Sequence, residues 1–362
     1  MSSAVPRAVP LKEGPQPEAA GLTPVEALSR ALRDTLRLLF RPFHGPRWIK
    51  LTVACLFLGG GTTTAAFQWS LRSLPGDLPL SDALLRAFEY ITRSPWLTLL
   101  TITLGLCAGL AWLYLRSVFR FVLVDSIVRE DVPLGASWAG QRPLGQSYFF
   151  WLVGMLATLG VGLSGVAIAA YPYLQAPASP ATPSLFPSLL LGALLASIVV
   201  AGLMVALLVL ITDDLVVPLM YAERISLARA WRQMAGAMRA EPATFAAYLL
   251  LRLAVGIGIA VAVLFFLFPV ILTLLSAAIV AAALVVLILH AFGLAWVWSA
   301  STTLLAVAAI LLLSVMLLIL LSAVGMPGQV LLQDFGIHFI ASRFPSLEAL
   351  WRIRPGASRG ET

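Results

Sequence analysis

The sequence predicts an all-α fold, a polytopic helical membrane bundle with six to seven apolar helices and amphipathic interfacial helices. Two long stretches predict this class, because residues 143–212 and residues 253–333 contain no Asp, Glu, Lys or Arg. A bilayer core ~30 Å thick needs about 20 apolar helical residues per crossing, so each stretch has room for several crossings. The composition agrees, since 60% of the 362 residues are hydrophobic and 11% are charged, against about 25% charged in soluble domains.

Hydropathy divides the chain into three predicted parts. Residues 1–21 are polar and rich in proline, which predicts a disordered cytoplasmic tail. Residues 22–344 form the helical membrane domain, and residues 345–362 form a C-terminal tail. The predicted apolar segments are 51–70, 96–115, 149–171, 188–211, 245–268, 270–289 and 302–324. Either the segment after Pro269 is a re-entrant or interfacial hairpin and six segments cross, or all seven cross and the C-terminus lies outside.

The first predicted helix, residues 24–41, precedes the apolar segments. Thr23, Pro24 and Glu26 have the spacing of a capping box with proline at the first helical position. Leucines recur at helical spacing and arginines form the complementary face. Two interpretations follow: the helix lies in the membrane interface with its arginines near anionic head groups, or it packs on the cytoplasmic face of the protein itself.

Arginine distribution predicts the orientation of the chain. The loops between spans two and three and between spans four and five are rich in arginine, whereas the loop between spans three and four has none. Basic loops remain in the cytoplasm, which places the N-terminus there too and predicts insertion in a cytoplasmic membrane. The expected partners are the lipid bilayer and its anionic head groups, together with an unknown protein partner. The net charge of +7 is dispersed along these loops, so we expect no nucleic-acid partner.

The two basic loops resemble each other at a constant offset of 93 positions. Leu134 corresponds to Leu227, and Trp138 corresponds to Trp231. The same offset carries the second span onto the fourth and the third onto the fifth. The pattern predicts an internal repeat of two parallel units, each with a span, a Trp-bearing interfacial helix and a returning span. The alternative is convergence of two short interfacial helices.

Three titratable residues are candidate functional groups. Asp213 and Asp214 close the fourth span, and neighbouring helical residues point about 100° apart, so one of them at most is expected to face the bundle interior. The alternative role is that of solvated carboxylates at the membrane edge, paired with Arg224 or Arg229. His290 lies between the last two apolar runs among aromatic residues, which favours an interfacial position near a helix end.

The remaining candidates lie within or beside the spans. Gly60 and Thr63 belong to a run of three glycines and three threonines, typical either of a discontinuous substrate-binding helix or of close helix packing. Arg252 is expected to reach the head groups along its own stem, without a partner inside the membrane. We expect Trp48, Trp138 and Trp231 to be interfacial anchors. No catalytic motif or metal-ligand spacing occurs, so no catalytic residue, cofactor or metal is predicted.

Several interfacial motifs carry a family resemblance. They are the residues 40–43, 47–51, 59–61, 119–122 with Asp125, and 213–221 followed by Ala230 and Trp231. In these motifs the chain resembles a group of uncharacterised prokaryotic multi-pass membrane proteins, similar in layout to the membrane domain attached to some glycerophosphodiester phosphodiesterases. The resemblance covers most of residues 22–344 and implies a helical membrane fold without an established activity. The aspartate and histidine pairs of a soluble phosphodiesterase domain do not occur, so that activity is not implied.

Three classes of function are compatible with the sequence. A non-catalytic membrane module (a scaffold, regulator or partner subunit) is the first prediction, since the sequence has no recognisable convergence of titratable groups. A transporter or lipid-handling protein is the alternative, supported by the repeat and the Gly/Thr run. A membrane-embedded enzyme is the third.

Overall fold

The computed structural model describes residues 21–40, 43, 45–58, 89, 92–129, 134–175, 185–293 and 300–347, and every regular element in these ranges is helical. The helices are α1 (Pro24–Phe40), α2 (Gly45–Leu58), α3 (Pro95–Val128), α4 (Leu134–Gln175), α5 (Leu185–Ile211), α6 (Val217–Glu223), α7 (Leu227–Ala240), α8 (Pro242–Ala291) and α9 (Ala300–Ala341). A π-helical turn, Thr212–Val216, joins α5 to α6. The all-α class is confirmed for the described part of the chain.

Five helical stretches are long and apolar enough to cross a membrane. They are Pro95–Val128, Leu134–Ile168, Gly192–Glu223, Pro242–Val285 and Leu311–Ala341. The chain is therefore a multi-pass helical membrane protein. Helix α2 contains the start of the predicted segment 51–70, but residues 59–70, with the candidates Gly60 and Thr63, lie outside the described residues.

The long helices share a common design, with one end buried and the other apolar and exposed. Their buried ends meet in a single core together with α1, α2 and α7. Apart from Leu267 in α8, the buried residues of these helices lie within 117–128, 137–152, 211–221, 245–248 and 326–341. Exposed large apolar side chains are concentrated in 96–112, 150–171, 189–207, 250–292 and 311–319. Apolar surface of this extent is stable in lipid, so the exposed halves are the parts suited to the bilayer.

Helix α8 corrects one prediction about the apolar segments. Pro269 lies inside this 50-residue helix, and the chain does not turn there to form a separate hairpin over residues 270–289. A proline removes one hydrogen bond of the helix and usually marks its end. In an apolar environment, however, leaving the helix would expose many more backbone groups than the proline does. The two predicted segments therefore form one continuous helix.

Helix α1 packs along α9, at the buried end of the bundle. Ala27, Ala31 and Leu39 are fully buried on this face of α1. The Leu22 amide donates to Ser342 Oγ at 3.0 Å, which joins the two ends of the described chain. This face of α1 therefore packs on the protein itself, as the second of the two interpretations of the helix predicts. Beyond α9, residues 345–347 are helical and Leu347 is buried.

The capping box at the start of α1 is confirmed. The Thr23 amide donates to Glu26 Oε2 at 3.1 Å, and the Glu26 amide donates to Thr23 Oγ1 at 3.4 Å. These bonds, chiefly the one from the Thr23 backbone, lower the pKa of the exposed Glu26 carboxyl.

The two loops of the predicted repeat have different backbones. Helices α4 and α7 both begin at the expected offset, at Leu134 and Leu227. Helix α4 continues without interruption into its apolar half, whereas α7 ends at Ala240 and α8 begins at Pro242. The break coincides with a proline. The helical conformation is disfavoured for a residue that precedes proline, and Glu241, which precedes Pro242, has φ −128° and ψ 57°.

Candidate functional site

A group of charged side chains lies where the exposed apolar halves of the helices meet the buried core. Arg116 and Arg120 come from α3, Asp213 and Asp214 from the π-helical turn, and Arg252 from α8. Both aspartates are buried, with exposed fractions of 8% and 1%. We call these five residues the ionic cluster.

Asp214 is bound by two guanidinium groups. Arg252 donates from Nε to Oδ2 at 2.5 Å, and Arg120 donates from Nη2 to Oδ1 at 3.1 Å. The side chains of both arginines are largely buried, so solvent screens these pairs only weakly. The carboxylate therefore joins α3, α8 and the π-helical turn in one electrostatic unit.

Asp213 has a different set of partners. The Tyr148 hydroxyl of α4 donates to its Oδ1 at 2.5 Å, and Arg120 Nε lies 3.6 Å from the same oxygen. Arg116 is more distant, with its Nη2 4.0 Å from Oδ2. Arg120 thus bridges the two aspartates, while Arg116 makes only a long contact.

The position of the aspartates differs from the prediction in two ways. Both carboxylates are buried within the bundle, and their partners are not Arg224 or Arg229. Arg224 instead donates to Gly140 O at 3.3 Å and to Gln141 Oε1 at 3.2 Å. Although neighbouring residues point in different directions, both carboxylates can be buried, because other helices surround the π-helical turn. Asp214 faces α8 and Asp213 faces α4, with Arg120 between them.

The backbone of the π-helical turn is in close contact with α9. A Cβ atom on Gly336 would lie 2.4 Å from Asp214 O, so only glycine fits at this crossing. Nearby, Gln333 Nε2 donates to Asp213 O at 3.5 Å, while its buried Oε1 accepts no hydrogen bond within the described residues. π-Helical turns often mark functional sites in helices, and this one positions both carboxylates.

Arg252 also differs from its prediction. Its guanidinium points into the cluster and not along its stem towards head groups, and the side chain is 13% exposed. The sequence showed a lone arginine near the start of a span, for which the interface is the usual destination. The sequence did not show that Arg252 has a partner, because Asp214 lies 38 positions earlier in the chain.

A cavity of about 470 Å³ opens beside the ionic cluster. Three guanidinium groups and two carboxylates line it, together with Gln329, Gln333 and apolar side chains from α2, α5 and α9. With every group in its ordinary charge state, this lining has a net charge of +1. The excess lies with Arg116, whose side chain is 37% exposed and whose ion pair is the longest of the set. Chemically, the cavity offers one positive charge, amide groups and an apolar wall.

A comparison with protein families decides the affiliation of the chain. The sequence profile of one family matches residues 22–350, which include nearly all of the described fold. The chain belongs to DUF7544, a family of unknown function. No curated protein and no solved structure matches it. The match confirms that the chain belongs to an uncharacterised family, as the interfacial motifs predicted.

Other predicted residues of this DUF7544 protein lie outside the cluster. His290 is exposed in the last turn of α8, about 57 Å along the helix from Arg252 at 1.5 Å per residue. Trp48, Trp138 and Trp231 are half-buried and pack against the core. Trp48 Nε1 donates to Leu39 O at 2.9 Å, which attaches α2 to α1.

Two further polar groups of the DUF7544 protein were not predicted. Buried Asp125 accepts hydrogen bonds from the Tyr221 hydroxyl at 2.6 Å and from Ser137 Oγ, and so joins α3, α6 and α4. The sequence contains no signal for this contact, because the three residues come from separate elements.

The second group lies between α1 and α9. Asp34, Asp334 and His338 each place one potential ligand atom within 4.8 Å of the others. His338 Nε2 lies 3.1 Å from Asp34 Oδ2. The search for metal-ligand spacing along the sequence missed this group because Asp34 lies some 300 positions from the other two.

Proposed function

We propose that this DUF7544 protein handles anionic lipids or similar anionic amphiphiles, which it binds in the cavity beside the ionic cluster. The observation that supports this is the unbalanced charge of the lining, with three arginines and two aspartates at the base of the apolar spans. Removing an ion from water costs several kcal/mol, so a cation that lies partly out of water at the base of apolar spans is stabilised when an anion neutralises it. Ionisable residues inside membrane spans are functional candidates for the same reason.

The lining favours an amphiphile over a simple ion. Arg116 provides the charge, and its guanidinium has the planar, forked donors that suit phosphate or carboxylate oxygens. Beside it, Leu58, Val209 and Leu210 give the cavity an apolar wall. A head group bound at Arg116 would leave its hydrocarbon chain against this wall and the exposed apolar halves of the spans.

The non-catalytic module predicted first now ranks second. That prediction rested on the lack of convergent titratable groups, and the described residues contain such a convergence at Asp213 and Asp214. A purely structural role for the ion pairs remains the competing explanation, because buried salt bridges also hold helices in register. The binding experiment below separates the two roles. An embedded enzyme has no specific support from these contacts.

The proposed topology has six crossings. Helix α1 lies at the buried end of the bundle, and the first residue of α3 lies at the opposite end. Five described spans then alternate, and α9 ends against α1. The segment 51–70, predicted from the sequence, supplies the sixth crossing of this proposal. The arginine-rich loops support an orientation in which the buried end lies at the cytoplasmic face of the membrane, which we propose to be a prokaryotic inner membrane.

Two finer predictions belong to this proposal. The parallel repeat is supported by the matching starts of α4 and α7 at Leu134 and Leu227. The likeness in layout to the membrane domain of some glycerophosphodiester phosphodiesterases agrees with a role beside lipid chemistry, but it contributes no activity to this chain.

The test of the proposal is a ligand titration of the full chain in a nonionic detergent. Short-chain phosphatidylglycerol, short-chain phosphatidylcholine and inorganic phosphate are added separately, and the melting temperature is followed by tryptophan fluorescence. We expect stabilisation by phosphatidylglycerol alone. Arg116→Gln should abolish it, whereas Arg232→Gln, on the exposed face of α7, should leave it unchanged.

Other outcomes would contradict the proposal. An equal shift with inorganic phosphate would exclude the amphiphile and indicate a small-anion site. An equal shift in Arg116→Gln would place the binding elsewhere. If no lipid or anion shifts the melting temperature of the folded protein, the ionic cluster is structural and the non-catalytic module is favoured.

A further inference from the structure

Helix α1 has an outward face that neither the core nor the ionic cluster uses. Leu32, Leu36 and Phe40 are about half exposed on it, one helical turn apart. Arg33 and Arg37 each follow one of these leucines, about 100° further round the helix, and both are exposed. An apolar stripe therefore runs beside a basic one along a helix whose other side is fixed to α9.

The apolar stripe forms one wall of a groove. The groove has a volume of about 300 Å³ and lies between α1, α8 and α9. Leu36 and Phe40 line it from α1, Ile259 and Phe266 from α8, and Leu331 from α9. Apart from Thr35, the lining side chains are apolar, which suits a hydrocarbon chain.

Thr35 is the exception in the wall of the groove. The residue is buried at 5% exposure, and its Oγ1 has no hydrogen-bond partner within the described residues. Other threonines in apolar helices of this protein donate to a carbonyl of the preceding turn, as Thr103 and Thr158 do at 2.8 Å. A buried hydroxyl without a partner is unfavourable, because it has lost its hydrogen bonds to water and gained none. An occupant with a hydrogen-bond acceptor at this depth would remove that cost.

We infer that the groove between α1, α8 and α9 is a binding site for one phospholipid with an anionic head group. Its acyl chain lies between α1 and α8, an ester carbonyl accepts from Thr35, and the phosphate lies near Arg33 and Arg37.

The surroundings of the groove favour a lipid over a peptide. The neighbouring outward side chains of α8, among them Ile257, Val261 and Phe265, are exposed and apolar. The groove therefore lies beside the apolar outer surface of Pro242–Val285, a stretch long and apolar enough to cross a membrane. Basic amphipathic helices at such positions attract anionic lipids through their Lys and Arg side chains.

The groove is separate from the cavity of the ionic cluster. Helix α9 turns Gln329 and Gln333 towards the cavity, and Gly328 and Leu331 towards the groove. A Cβ atom on Gly328 would lie 2.4 Å from Ile259 Cγ2, so α8 and α9 are in tight contact between the two sites. The two binding proposals can therefore fail independently.

The test counts retained lipids on the full chain by native mass spectrometry. The protein is delipidated in a nonionic detergent and then given palmitoyl-oleoyl phosphatidylglycerol or palmitoyl-oleoyl phosphatidylcholine. We expect one phosphatidylglycerol to be retained, with a preference of about tenfold over phosphatidylcholine. Ala262→Trp fills the groove and should abolish retention, whereas Ala260→Trp, on the exposed side of the same helix, should not.

Further variants test the head group and the hydroxyl. Replacing Arg33 and Arg37 by Gln should remove the preference for phosphatidylglycerol, while replacing the exposed Arg229 and Arg232 by Gln should preserve it. Thr35→Val should weaken retention several-fold, and Thr35→Ser should restore it.

Three results would overturn the inference. Equal retention by the two tryptophan variants at equal melting temperatures would exclude the groove. Equal retention of the two lipids by the unmodified protein would exclude the charged contact. Loss of the retained lipid in Arg116→Gln alone would assign it to the cavity of the ionic cluster.

Discussion

Arg252 and Asp214 form a buried ion pair between the first turns of α8 and the π-helical turn, with Nε and Oδ2 2.5 Å apart. Their side chains are 13% and 2% exposed. Arg120 approaches the other carboxylate oxygen from α3, so three separate elements depend on one acidic group. The arrangement puts the electrostatic centre of the molecule at the base of its apolar spans.

The first prediction concerns the loss of that carboxylate. Asp214→Asn keeps the shape but leaves Arg120 and Arg252 without their common counter-charge. Breaking a buried pair in this way costs about 3–5 kcal/mol, which equilibrium unfolding in detergent micelles would measure. As a control, Glu89→Gln removes the exposed pair with Arg93 and should cause no measurable change. Equal effects of the two substitutions would show that the ionic cluster is well solvated.

A second substitution at the same pair makes the test stricter. Arg252→Gln in the Asp214→Asn background removes one of the unpaired charges. The double variant should therefore be less destabilised than the sum of the single variants, with a coupling energy of about 0.5–3 kcal/mol. Strict additivity would contradict a direct interaction between the two side chains.

Another prediction concerns the hydroxyl of Tyr148. Tyr148→Phe keeps the ring, which stacks on Trp151 with centroids 5.8 Å apart, but removes the hydrogen bond to Asp213. Hydrogen bonds to charged groups contribute about 1.5–3 kcal/mol, and the free energy of unfolding should fall by that amount. Tyr114→Phe is the matched control, because the bond that its hydroxyl accepts from Arg142, at 3.3 Å, is exposed. A larger loss at Tyr114 would contradict the assigned role of Asp213.

Local features of the fold were predictable from the sequence. Hydropathy alone identified the helical membrane class, since the medium determines which side chains lie outside. The capping box at Thr23 and Glu26 was predictable because its partners are three residues apart. The two segments around Pro269 were wrongly predicted to be separate, because a proline usually ends a helix. This rule carries less weight in an apolar environment, where the backbone has no alternative hydrogen-bond partner.

The ionic cluster was not predictable, because its contacts are distant in sequence. Asp214 and Arg120 are 94 positions apart, and helical periodicity cannot show which helices are neighbours. Arg252 was assigned to the interface for lack of a visible partner. Both aspartates were predicted as candidates. The angle between adjacent residues on one helix, however, does not indicate how many other helices surround them.

Glycine at the crossing of α9 and the π-helical turn gives a further prediction. Gly336→Ala would place a Cβ atom 2.4 Å from Asp214 O, and backbone on both sides limits relaxation. Overpacking of this kind costs about 1–3 kcal/mol and should also displace Asp214 from its arginines. Gly325→Ala, on the same helix with nothing within 4 Å of the new atom, should be neutral or slightly stabilising. Equal stability of the two variants would contradict the close crossing.

The last prediction concerns topology. The Leu22 amide and Ser342 Oγ are 3.0 Å apart, so the two ends of the described fold lie on one side of any membrane that the spans cross. We therefore predict an even number of crossings and, from the arginine-rich loops, a cytoplasmic position for both ends. Fusions of a cytoplasm-active fluorescent reporter at residue 1 and at residue 362 should both fluoresce, and a fusion within the arginine-free loop after Gln175 should not. Fluorescence at only one terminus would require an odd number of crossings, which cannot coexist with the contact between α1 and α9.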